Sequence, residues 1–104
     1  MIKNLNDKDF VQETSTGITL TDFWADWCPP CKMQSPIVEQ LDKEIGNNVK
    51  VTKMDVDANP ETANEFGIMS IPTLIIKKDG KVVEELVGLH SKDKLKNILA
   101  QYTN

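Results

Sequence analysis

Trp27-Cys28-Pro29-Pro30-Cys31-Lys32 holds both cysteines of the 104-residue chain and directly follows an apolar, strand-like run, Ile18 to Trp24. Cysteines three positions apart at the start of a helix can close a small disulfide ring. The first sulfur then lies where unpaired backbone N–H groups and the helix dipole favour a thiolate. A dithiol that cycles between open and bridged forms is the chemistry this spacing serves. Half of a zinc site is the competing use, but tetrahedral zinc needs four ligands, and His90 is the single histidine in the chain.

Outward from the cysteines, the pattern alternates between strand and helix. Asp7 to Thr14 reads as a short helix capped by Asn6 or Asp7, and Ile18 to Trp24 as a strand. The helix after the cysteines should become regular near Pro30, since Pro29 precedes a proline, and Ile37, Val38, Leu41 and Ile45 supply its apolar face. Pro36 predicts a bend within it, and Gly46-Asn47 its end. Val49 to Val56 follows as a strand, then a helix opening at Asn59-Pro60 and closing at Gly67. Thr73 to Lys77 and Lys81 to Val87 flank a turn at Lys78-Asp79-Gly80 and should pair antiparallel. Behind a serine cap at Ser91, Leu95, Ile98, Leu99 and Tyr102 recur at helical spacing. With a further strand ahead of the first helix, this order predicts an α/β sandwich: a central mixed five-stranded sheet flanked by four helices.

Length allows a single domain, 1–104, with one core. Twelve basic and sixteen acidic residues give a net charge of −4 in mixed sign, which argues against a nucleic-acid or anionic-membrane surface. Met1-Ile2-Lys3-Asn4-Leu5-Asn6-Asp7 lacks the apolar centre of a signal peptide, and no later run has the length of a membrane span, so a cytoplasmic location is expected. In a reducing compartment a close cysteine pair serves metal binding or catalysis more often than structural bridging.

Asp22-Phe23-Trp24-Ala25-x-Trp27-Cys28, Lys32-Met33, Pro36, Asp55-x-Asp57-x-Asn59-Pro60, Ile71-Pro72-Thr73 and Gly88 together resemble the bacterial-type thioredoxin family over essentially the whole chain. The resemblance implies a thioredoxin fold and a general protein-disulfide reductase that maintains cell redox homeostasis. It implies no bound cofactor, with electrons arriving from NADPH through a flavin-containing thioredoxin reductase. The partners it implies are that reductase and disulfide-containing proteins, such as reductases and peroxidases recycled by thioredoxin. The sequence leaves the oligomeric state open, and a monomer is expected. One departure stands out, because the family usually carries Gly-Pro between the cysteines and this chain carries Pro29-Pro30.

Cys28, ahead of the helix, should be the more exposed sulfur and the nucleophile; Cys31, one turn in, the buried resolving thiol. Alternation through Ile18, Leu20, Asp22 and Trp24 places Asp22 on an apolar side, where a raised pKa would suit acceptance of the Cys31 proton. Without the resemblance, a surface strand acid or a capping group fits Asp22 equally. Lys53 lies in register with Val49 and Val51 and either runs toward Asp22, tuning it, or keeps its ammonium in water. Ile71-Pro72 alone reads as a turn with an ordinary trans bond; the resemblance makes it a cis proline facing the active site. A contact patch of Trp27, Pro30, Ile71, Pro72, Val87 and Gly88 would then surround Cys28, with Trp24 in core packing and His90 in a loop.

Pro29 and Pro30 tune the redox potential. Neither offers an N–H to the Cys28 sulfur, which leaves the Cys31 amide and a less stabilised thiolate than glycine would give. Stiffening of the ring by two prolines opposes this in its effect on potential. Two other readings are a disulfide oxidant or isomerase, and a thioredoxin-like binding module that uses only the apolar patch.

Overall fold

A computed structural model describes residues 2–103 of the chain. Its elements are β1 (Lys3–Asn4), α1 (Phe10–Glu13), β2 (Ile18–Trp24), α2 (Pro29–Ile45), β3 (Val49–Asp55), α3 (Pro60–Glu65), β4 (Thr73–Lys78), β5 (Lys81–Val87) and α4 (Lys92–Ala100). They form a thioredoxin fold, with one five-stranded mixed sheet ordered β1-β3-β2-β4-β5. β2 occupies the centre, parallel to β3 and antiparallel to β4, and β4 and β5 form an antiparallel hairpin. At the hairpin turn Asp79 and Gly80 both have positive φ, 50° and 85°, as a tight two-residue turn matching the strand twist requires.

The period-two alternation of the strands separates two cores. Leu20, Val51, Leu74 and Ile76 face Val38 and Leu41 of α2 and Leu95 and Leu99 of α4. On the other side Phe23, Met54 and Ile75 pack with Leu5, with Phe10 of α1 and with Phe66, just beyond α3. Phe10 and Phe66 meet edge to face with centroids 5.4 Å apart. β2 thus feeds both cores from alternate positions and runs directly into the cysteine segment, so the site is carried by the central strand of the sheet.

Local signals were overruled at the start of α1 and in the capping of α3. α2 begins at Pro29, within one residue of the start expected near Pro30: in the first helical turn no proline N–H is needed, so two consecutive prolines fit there. Pro36 lies within this helix, on its exposed side, without ending it. α1 is shorter than Asp7–Thr14, since residues 7–9 form a turn whose Lys8 and Asp9 amides donate to Asn6 Oδ1. Asp7 caps a different helix: its carboxylate accepts from the Thr62 N–H (2.8 Å) and the Glu61 N–H (3.3 Å) at the start of α3. Asn59 is the N-cap of α3 by position but makes no side-chain capping bond there; its Oδ1 accepts from the Asp7 N–H. Ser91 does cap α4, accepting from the Lys94 N–H at 3.2 Å.

Candidate active site

Cys28 is the N-cap of α2, with extended backbone (φ −103°, ψ 104°) and Pro29 and Pro30 filling the first two helical positions. Because prolines carry no N–H, the first amide able to face the Cys28 sulfur is that of Cys31, and it donates to Sγ at 3.2 Å. The two cysteines are joined by a disulfide across Cα atoms 5.3 Å apart. As residues the two cysteines are equally buried in this bridged form, each 3% exposed. The Cys28 sulfur lies against the first turn of α2 and 3.6 Å from the Ile71 carbonyl. What distinguishes the two cysteines is therefore their neighbours.

Cys31 lines a cavity of about 140 Å³ whose wall also includes Asp22, Trp24, Ser35 and Lys53. Asp22 is 1% exposed, and its Oδ1 has no hydrogen-bond partner. Burial pushes its pKa up to about 7, with the nearby Lys53 charge pulling the other way. Asp22 and Lys53 are direct register partners on β2 and β3. The Lys53 ammonium lies 5.6 Å from the centre of the Trp24 ring, so its stem covers the half-buried indole while its charge reaches the acid. A space of this volume holds several water molecules, and Asp22 supplies the polar atom they need. A protonatable group and a cysteine thus line one small pocket, which also reaches the exposed Asp26 and Lys32.

The outer side of the disulfide is apolar and open. Trp27 is 66% exposed, and its indole N–H is held by Asp57 Oδ2 at 2.8 Å. The Ile71–Pro72 peptide is cis, and Pro72 is buried. Its carbonyl accepts from the Gly88 N–H at 2.8 Å. Val87, at the end of β5, is 60% exposed. Gly88 has φ +90°, a conformation that favours glycine, and no atom lies within 4 Å of where a Cβ would stand. Trp27, Ile71, Pro72, Val87 and Gly88 are thus arrayed on the two loops and the strand end next to Cys28, away from the Asp22 cavity. Sequence reasoning missed Asp57, which fixes the Trp27 ring, and Met69, which is 95% exposed on the segment leading to Pro72. Among the described residues no group of three or more His, Cys, Asp or Glu side chains is placed to hold a metal ion.

A buried acid behind a helix-capping disulfide, with a cis-proline loop in front of it, defines a thiol–disulfide oxidoreductase. The thioredoxin family profile matches residues 1–101. The chain is 53% identical to a thioredoxin of Listeria monocytogenes over 102 residues, covering 98% of this chain and 99% of that relative. It is 50% identical to a thioredoxin of Bacillus subtilis and 43% identical to one of Staphylococcus aureus, each over 101 residues and 97% of both chains. The chain belongs to the thioredoxin family, and its redox-active cysteine pair makes it a protein-disulfide reductase.

Proposed function

We propose that Cys28 and Cys31 divide the reaction as nucleophile and resolving thiol, with Asp22 as proton acceptor. The Cys28 thiolate attacks one sulfur of a target disulfide, forming a mixed disulfide and releasing the other target sulfur as a thiolate. Cys31 then gives its proton to Asp22, directly or through water in the shared cavity, and attacks Cys28 Sγ. The second target thiolate leaves, and the Cys28–Cys31 bridge is closed. Two electrons have passed to the target, and protons from Asp22 and solvent complete its thiols. The observation that carries this reading is that Cys31, and not Cys28, shares a cavity with the protonatable Asp22. Lys53 tunes that acid through its charge.

Trp27, Pro30, Ile71, Pro72, Val87 and Gly88 form the surface on which an extended target segment docks, aligning its disulfide with Cys28. The Pro29-Pro30 pair sets the potential of this active site: with the Cys31 amide alone facing the sulfur, the Cys28 thiolate is less stabilised than with glycine at position 29. Electrons come from NADPH through a flavin-containing thioredoxin reductase, and a monomer in the cytoplasm passes them to disulfide-containing targets, so sustaining redox homeostasis. Insulin reduction coupled to NADPH oxidation tests the scheme. Wild type should be active, Cys28→Ser inactive, and Cys31→Ser should accumulate a covalent mixed disulfide. A Cys31→Ser protein that still turns over would remove the assigned division of labour. Pro29→Gly should lower the thiolate pKa measured at 240 nm, and an unchanged or raised pKa would count against the amide argument.

A further inference from the structure

Gln34 sits one turn beyond Cys31 on α2, at 0% exposure. An amide left unmatched at such a buried position is costly. Both ends of its amide go to one residue instead: Nε2 donates to the His90 carbonyl (3.0 Å), and Oε1 accepts from the His90 N–H (2.9 Å). The His90 ring continues the connection, with Nδ1 at 2.8 Å from the Gly88 carbonyl; a carbonyl only accepts, so Nδ1 carries the proton. Gly88 in turn donates to the Pro72 carbonyl. An unbroken run of bonds thus ties the helix that carries Cys31 to both loops beside Cys28. Residues 88–90 lie between the end of β5 and the Ser91 cap of α4 and have no sheet partner.

We propose that Gln34 is a positioning residue that fixes the Gly88 edge of the target-docking surface relative to the disulfide; this rests on the docking surface described above. Gln34→Met keeps the volume and removes both bonds. It should raise KM for insulin about three- to tenfold while kcat changes less than about twofold. Attack of the reduced protein on 5,5′-dithiobis(2-nitrobenzoate), too small to need the Gly88 edge, should change less than about twofold, and the His90 amide should exchange with solvent at least about tenfold faster. An unchanged insulin KM, or equal losses on insulin and the small disulfide, would overturn the proposal. His90→Ala cuts the same connection one step later and must raise the insulin KM in the same way, which decides the matter should Gln34→Met fold poorly. Val87→Asp alters the docking surface without touching the clamp. A KM increase there with none in Gln34→Met and His90→Ala sinks the clamp alone. No increase in any of the three removes the docking surface, and the clamp with it.

Discussion

Among the described residues each face of the sheet buries one charge-bearing side chain, Asp22 or Lys77, and the two are handled in opposite ways. On the α2/α4 face Asp22 stands with an unpartnered oxygen beside a cavity, its pKa raised by burial to about 7. On the α1/α3 face Lys77, 5% exposed, donates to Thr14 Oγ1 at 2.7 Å and lies 5.0 Å from the centre of the Phe10 ring. Thr14 spends its own proton on the Phe10 carbonyl, at 2.7 Å, so its oxygen is free to accept from the ammonium. Burial lowers the Lys77 pKa, and Glu65 opposes the change. A buried polar group is expensive unless satisfied, and of these two ionisable groups the acid is the one with an unpartnered atom, which fits the proton-acceptor role proposed for it. The satisfied one is structural.

The comparison breaks first at Asp22, where the largest effect is expected. Below pH 3.8 the carboxyl is protonated folded or unfolded; between 3.8 and about 7 only the native state keeps the proton; above about 7 the native chain carries the whole cost of a buried charge. Stability contributed at this position therefore falls as pH rises from 4 to 7. A shift of about three units corresponds to roughly 4 kcal/mol as an upper figure. Asp22→Asn should gain on wild type by up to about that amount between pH 4 and pH 8 in urea unfolding. Parallel pH curves for the two proteins would mean that Asp22 is ordinarily solvated.

The same variant should lose catalysis as it gains stability. Without the carboxylate, resolution of a mixed disulfide by Cys31 should slow by about 100-fold near neutral pH, the lower end of what a positioned base supplies. Stopped-flow fluorescence of Trp27, beside Cys28, can follow that step. Lys53→Met sharpens the point, because removing the charge that pulls the Asp22 pKa down should move the pH midpoint of resolution upward. A midpoint that stays put or falls would separate Lys53 from the acid.

Much of this contrast was written in the chain, but unevenly. The alternation in β2 that puts Asp22 with Leu20 was legible, as were the cysteine spacing, the Asp79-Gly80 hairpin and the Ser91 cap, because each is decided within a few residues. Lys77 carried the same signal, sharing the Ile75 side of β4, but a terminal strand lysine reads by default as a solvated one. What no local pattern contained was the pairing of residues far apart in sequence: Asp7 with the start of α3, Trp27 with Asp57, Gln34 with His90. Burial of Cys28 escaped for the same reason, since its sulfur lies near the Ile71 carbonyl some forty residues on.

On the opposite face the expected effects are smaller, and they turn on which half of the pair is removed. Thr14→Val leaves the Lys77 ammonium buried without that acceptor and should cost about 2 kcal/mol in denaturant unfolding. Lys77→Met removes the desolvated charge together with its bond, and Thr14 keeps its donation to the Phe10 carbonyl; stability should stay within about 1 kcal/mol of wild type. In the Lys77→Met background, Thr14→Val should then cost less than half of what it costs alone, a coupling that a double-mutant cycle reads directly. Insulin reduction should be unaffected by either change, because neither residue touches the cysteines or the Asp22 cavity. A Lys77→Met protein slowed in mixed-disulfide resolution would show that the two faces communicate through β2 and β4, and the division of labour between the two buried charges would fall.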